Sequence, residues 1–425
     1  MRSLISLAFV AALFGCTKRS EKYCLDPLNS NDPRCLTDSG PEETCDADHP
    51  CSDGICLDGL CVQCTADDVS RCTGDTPICN TTSHDCVGCD SHDDCPMSDA
   101  CLPTGSCANA SDIAYVEAGG TGNCDQEMPC GLLTTALATT KATIKMKGAI
   151  IESDTVTIDS NARVILADPA TSLDTSKNSV PVLQVSGTSN VEIYDLLITG
   201  SSGSNAPGLR VVNGANVTLV RAKLSVNDGG FGAIVDTAGM FKAIQSEISG
   251  NKYGGMRIIN TQFEIVNTAI INNGGLSGLI GGLNLLDLPS TGTFKIEFST
   301  IARNQGSSGA PNGINCSTVN PPAKTFTNNI IWDNTGTGSP GGEQVGGANC
   351  TASFSTIGPQ PFTGGPGNIA DDPKFANLAS GDYHLMMVSP ARDTADPAAT
   401  LGVDFEGDAR PEGAARDMGA DEFTP

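Results

Sequence analysis

A chain of 425 residues is long enough for two or three domains. Its 24 Lys+Arg stand against 49 Asp+Glu, a formal net charge of −25, which argues against nucleic acid and anionic lipid surfaces as partners. Only 4% of residues are aromatic while Gly numbers 48, a balance suited to stacked short strands and tight turns rather than a globule built on large rings.

The chain opens with Arg2 and a short apolar run, Leu4 to Phe14, too short to span a bilayer as a helix. It ends in Leu13-Phe14-Gly15-Cys16, which resembles a bacterial lipobox. The resemblance implies that residues 1–15 are a signal peptide, cleaved before Cys16, whose thiol and new amino group are acylated. An ordinary signal peptide with a chance cysteine is the alternative. Thr17, where Asp would signal retention at the inner membrane, favours a lipid anchor in the outer membrane, facing the periplasm or the cell surface. Residues 16–44 read as the tether.

Of 19 cysteines, 18 remain after Cys16, an even number in an exported chain, and this points to disulfides. Cys24 with Cys35 and Cys124 with Cys130 are candidate pairs. Between them, residues 45–107 hold three four-cysteine units: 45, 51, 56, 61; then 64, 72, 79, 86; then 89, 95, 101, 107. Units this small need covalent crosslinks, and each allows three internal pairings that the sequence leaves open. Cys61-Val-Gln-Cys64 and Cys86-Val-Gly-Cys89 also fit halves of a zinc ribbon, a reading that export and the regular period disfavour. The stretch resembles the Cys-rich repeats of myxobacterial surface proteins, distantly like the Dickkopf N-terminal module, which implies a spacer or binding stalk. Its twelve Asp offer weak calcium sites or simply a solvated acidic surface, the preferred reading. No other cofactor is implied.

Residues 112–143 read as a strand at Tyr115-Val116, a loop closed by Cys124 and Cys130, and a helix over residues 132–142. This order resembles the N-terminal cap of many bacterial β-helix proteins. From residue 144 to 362 one pattern recurs: an apolar anchor, an Asn three residues later, then a Gly turn and a second strand. The anchors Ile198, Leu224, Ile248, Ile270, Ile301, Ile331 and Ile357 lie one coil apart. Such short strands persist only when each zips onto the coil below in a parallel ladder, which predicts an all-β parallel β-helix. The Asn series 227, 251, 273, 304 and 334 would stack at a bend, bond from coil to coil and tolerate a left-handed backbone. Such ladders resemble those of pectate-lyase-like right-handed β-helices. Gly313-Ile-Asn-Cys316 and Gly347-Ala-Asn-Cys350 occupy equivalent places in consecutive coils on this reading, which predicts a Cys316–Cys350 disulfide between vertical neighbours.

Residues 363–425, with Asp404, Gly407, Arg410, Asp417, Gly419, Ala420 and Glu422, resemble the closing segment of bacterial surface β-helix proteins and some polysaccharide lyases. There Arg410 is expected to pair with Asp417 or Glu422 and fix the cap.

A lyase needs a Lys or Arg base and commonly a Ca²⁺ cluster, and a hydrolase needs converging carboxylates. If Met256 and Ile258 point inward, one outward column holds Arg210, Ile234, Arg257, Asn284, Asn315 and Asn349. The next holds Val212, Asp236, Ile259, Leu286 and Ser317. Arg257, Asp236 and Arg210 are the catalytic candidates, a thin set in which Arg257 with Asp236 reads better as a surface ion pair. Trp332, Asn284 and Asn315 are the binding candidates; Trp332 could stack on a sugar or lie under the following loop. The four His (His49, His84, His92, His384) suggest no metal set. The sequence thus favours a monomeric surface lipoprotein whose β-helix serves as a binding, adhesion or structural module for glycan or a cell-surface or matrix component. A polysaccharide lyase or glycosidase is the alternative.

Overall fold

The structure is a computed structural model that describes residues 45–46, 50–51, 54–276, 279–307, 310–318, 320–321, 323–336, 344–360, 362 and 364–424. Cys16, Cys24, Cys35 and His49 lie outside the described residues. The chain divides into two compact units, Met1–Ala108 and Asn109–Pro425.

The first unit is held by sulfur. Each four-cysteine repeat pairs its first Cys with its third and its second with its fourth: Cys45–Cys56 and Cys51–Cys61, Cys64–Cys79 and Cys72–Cys86, Cys89–Cys101 and Cys95–Cys107. Two-stranded antiparallel ribbons, Ile55–Leu57 with Leu60–Val62 and Ile78–Cys79 with Cys86–Val87, brace the first two repeats. Cys61 and Cys64 bond to different partners, so the zinc-ribbon reading falls. Closing loops of this size stabilises by about 3 kcal/mol each on the chain-entropy account. That supplies what the small sulfur cluster of Cys64, Cys72 and Cys86 cannot.

The second unit is a right-handed parallel β-solenoid of about nine turns. Its coils stack into a nine-stranded, an eight-stranded and a ten-stranded sheet, in each of which every neighbour comes from the next coil along the chain. Period-two alternation sends one set of side chains inward. The anchors align in one file, Ile198–Leu224–Ile248–Ile270–Ile301–Ile331–Ile357, every one buried in a single core. Each such burial contributes about 1.5–3 kcal/mol. On the ten-stranded sheet Phe241, Phe263 and Phe294 stack in register, the last two edge to face at 5.9 Å.

At the bend after the nine-stranded sheet the Asn ladder forms. Asn227 donates its side-chain amide to Asn251 at 2.9 Å, Asn251 to Asn273 at 2.8 Å, Asn273 to Asn304 at 2.9 Å and Asn304 to Asn334 at 2.9 Å. Gln344 Oε1 closes the series by accepting from Asn334 at 2.8 Å. The left-handed residue at this bend is the one before each Asn: Val226 (φ 55°), Gly250 (64°), Asn272 (54°), Arg303 (53°) and Asp333 (53°). The ladder Asn is therefore chosen for its amide, which satisfies buried backbone at 0–1% exposure, and not for φ tolerance.

Below the first coil, Ile113–Glu117 pairs parallel with Thr143–Lys147, and Cys124–Cys130 pins the loop between them. The helix expected over residues 132–142 spans only Leu133–Leu137, because the Thr139 hydroxyl bonds back to the Ala136 carbonyl at 2.7 Å and ends the turn.

Two expectations change at the far end. Cys316 stands beside Gly347 and Asn315 beside Gly346, so the repeat Gly347-Ala-Asn-Cys350 is shifted by three residues from the place expected. Val345, facing in against Ile314, fixes that register. Asn349 leaves the outward column for a left-handed bend (φ 63°). Cys350 starts the next strand, beside Lys324, and the Cys316–Cys350 disulfide crosses a corner of the coil with its Cα atoms 6.2 Å apart. The last residues, expected to close the end, lie along the flank instead. The strand pair Phe375–Asn377 with Asp382–Leu385, and the turns up to Phe423, cover outward side chains of the nine-stranded sheet. Ala269, Ile271, Ala302, Ile330 and Trp332 pack there against Tyr383, Phe405, Met418 and Ala420. The end itself receives Phe362 on the core and Ile369, which bridges Thr356.

Candidate functional site

The three outer faces of the solenoid differ. That of the ten-stranded sheet carries the column Lys242, Glu264 and Lys295, with Lys242 and Glu264 paired at 3.1 Å. That of the nine-stranded sheet is covered by the C-terminal flank in its later coils. The face of the eight-stranded sheet holds the file Gln184–Arg210–Ile234–Arg257–Asn284–Asn315 and beside it Val212–Asp236–Ile259–Leu286–Ser317. Inward alternation of Leu209, Val211, Ala233, Val235, Met256 and Ile258 forces those neighbours out.

A cavity of about 290 Å³ opens on this face, lined by Gln184, Arg210, Val212, Asn213, Asp236 and Thr237. Arg210 is exposed and Asp236 half-buried, with one carboxylate oxygen accepting the Thr237 hydroxyl at 2.8 Å. Arg257 stands opposite Ile234, one file over from Asp236, so the expected Arg257–Asp236 ion pair does not form. Its Nε is buried without a hydrogen-bond partner among the described residues. Asn284 and Asn315 spend part of their capacity on each other, Asn315 donating at 2.8 Å. Trp332 does point outward, but Phe375 and the flank pack around it and its ring lies against Gly358, so it offers no open platform.

This cavity brings together Arg210 and Asp236 and leaves Arg257 farther along the face. One carboxylate and one guanidinium can orient hydroxyls and carboxylates of a ligand. They do not make the converging pair of acids that glycoside hydrolysis uses, nor the cluster that holds calcium in a lyase.

A denser constellation lies on the flank, where the expected pairing of Arg410 forms with Glu422. Arg410, fully buried, donates to Glu422 at 3.1 Å and to the carbonyls of Asp417, Gly419 and Ala420, and lies over the Phe298 ring. Burial lowers its pKa. Asp404 orders the turn beside it: one of its oxygens accepts the backbone N–H of Glu406, Gly407 and Asp408, the other that of Glu422. The imidazole of His384 contacts Asp382 through Nδ1 at 2.7 Å and Glu406 through Nε2 at 3.2 Å. Asp421 accepts the Leu385 N–H at 2.6 Å. Burial, with the neighbouring Asp404 charge, pushes the Glu406 carboxyl up to about 7, and burial pushes Asp421 up to about 6. Burial pulls His384 down, but its bond to Asp382 and the surrounding carboxylates outweigh that, and its pKa is raised. The alternation in Asp382-Tyr383-His384 could have signalled a shared face for Asp382 and His384. Nothing local announces Glu406 and Asp421, which come from chain 22 to 37 residues away.

No family model and no curated protein matches the chain. Among solved structures it is similar to pectate lyase Pel9A, at 15% identity and a TM-score of 0.47, over 73% of this chain and 96% of that one. The parallel ladders themselves, rather than this likeness, establish the fold.

Proposed function

We propose that the β-helix is a non-catalytic glycan-binding module, and that the outer face of its eight-stranded sheet is where the glycan lies. One observation carries this reading: the cavity around Arg210 and Asp236 opens on that face with a mainly polar lining that holds no second carboxylate. Arg210 and Arg257 stand two coils apart, roughly 9.6 Å along the axis. That is the scale of a disaccharide repeat in an extended polysaccharide, so two guanidinium groups can meet alternate acidic sugars while Ile234 between them meets a ring face. The stacked Asn284 and Asn315 extend the same file with amide groups. In this proposal the lipid on Cys16 anchors the chain to the outer membrane, and residues 45–107 act as the spacer. The partner is a glycan of a cell surface or matrix.

Binding of uronate polymers and neutral glycans to the full chain, by calorimetry, tests the reading, with a depolymerisation assay in the presence and absence of Ca²⁺ on the same samples. The expected result is uronate binding without cleavage, weakened about tenfold in Arg210→Ala, the value of one charge-assisted hydrogen bond. Cleavage that disappears in Arg257→Ala or Asp236→Ala would establish the lyase or glycosidase alternative instead.

A further inference from the structure

The strand Asp382–Leu385, the turn around Glu406 and the segment at Asp421 meet on the flank, away from the glycan face. Ligand atoms of His384, Glu406 and Asp421 all lie within 4.8 Å of one another. The donor set is mixed, one imidazole and two carboxylates, from three separate stretches of chain. We infer that these three side chains hold a divalent transition-metal ion of the zinc class, with an outer position left open to water.

Four features support the assignment. First, the His384 Nε2 to Glu406 oxygen separation is 3.2 Å, longer than the 2.7–2.9 Å of a charge-assisted bond. Two donors placed about 2.1 Å from a tetrahedral ion stand roughly 3.4 Å apart, close to what is seen. Second, His384 already has the outer partner that metal-bound imidazoles use: Asp382 on Nδ1 at 2.7 Å, which fixes the tautomer and aims Nε2 at the carboxylates. Third, Asp421 is 5% exposed, yet among the described residues no Lys or Arg pairs with it. Fourth, the three segments are held in place before any ion arrives. Asp404 fixes the Glu406 turn and the Glu422 N–H together, the Leu385 N–H bonds to Asp421, and Phe405 N–H bonds to the Ala420 carbonyl at 2.9 Å.

The ion class follows from the donors. Calcium takes six to eight oxygens, whereas an imidazole with two carboxylates suits zinc and its neighbours. His384 and Glu406 keep access to solvent, with side chains 54% and 36% exposed, so an ion can enter and a water can complete its shell.

The test is zinc titration of the oxidised full chain after chelation, by calorimetry, beside Ca²⁺ and the variants His384→Ala, Glu406→Gln and Asp382→Asn. Because the ligating side chains changed in the first two are solvent-accessible, far-UV circular dichroism should match the parent. The expected result is saturable binding of one zinc, weakened at least about 100-fold in His384→Ala and about 10–100-fold in Asp382→Asn, as for loss of an outer partner. Zinc affinity unchanged in His384→Ala, no saturable binding up to millimolar zinc, or tighter binding of Ca²⁺ than of Zn²⁺ would overturn it.

Discussion

Asn273 shows how much one side chain carries in this molecule. Its carbonyl accepts both the backbone and the side-chain N–H of Asn251, and its amide donates to Ile248 and Asn304. All of these groups are buried, so Asn273→Ala strands several at once. Each buried polar group left unsatisfied costs about 1–3 kcal/mol. The expected loss is on the order of 3–5 kcal/mol in urea unfolding, larger than the same change at an exposed Asn. An unchanged midpoint would mean that water replaces the amide within the bend. Val226 marks the cost on the other side of the same corner: a β-branched residue held at φ 55° where the next coil places Gly250.

Among elements, the flank decides how the nine-stranded sheet meets solvent. Its outward Ala269, Ile271, Ala302 and Ile330 are apolar because the C-terminal turns cover them. Arg410 holds those turns by donating to three carbonyls and Glu422 while buried over the Phe298 ring. Arg410→Ala leaves Glu422 buried without its cation, a change worth about 3–5 kcal/mol. Hydrogen exchange should then quicken across residues 382–422. The inward anchors Ile270 and Ile301, held by the ladders, should keep their protection. Equal loss of protection in both sets would show that flank and solenoid unfold as one.

At the scale of the whole molecule two kinds of cohesion coexist. Residues 45–107 depend on six disulfides, whereas the β-helix has a continuous apolar core and only Cys124–Cys130 and Cys316–Cys350. Reduction should therefore abolish protection in the first unit and leave the β-sheet circular dichroism of the second largely intact. Cooperative loss of the β-sheet signal on reduction would show that the solenoid leans on its two crosslinks more than its core implies. Among the described residues no helix is long and apolar enough to cross a membrane.

Period and residue type alone were enough to reveal the parallel coils, the anchor file, the Asn ladder and, except at Asn349, the two outward columns through Arg210 and Asp236. Each of these is set by neighbours in the repeat, where alternation and burial act at a fixed spacing. Tertiary structure decided the rest. The three allowed pairings in each Cys unit differ only in how the loops pack. The register at Gly346 and Gly347 depends on which apolar side chain, Val345 or Ala348, enters the core. The covering of Trp332 and the meeting of His384 with Glu406 and Asp421 arise because the last 50 or so residues fold back along a flank. No local periodicity encodes that return, since its hydrogen bonds to the solenoid join side chain to backbone across more than one hundred residues.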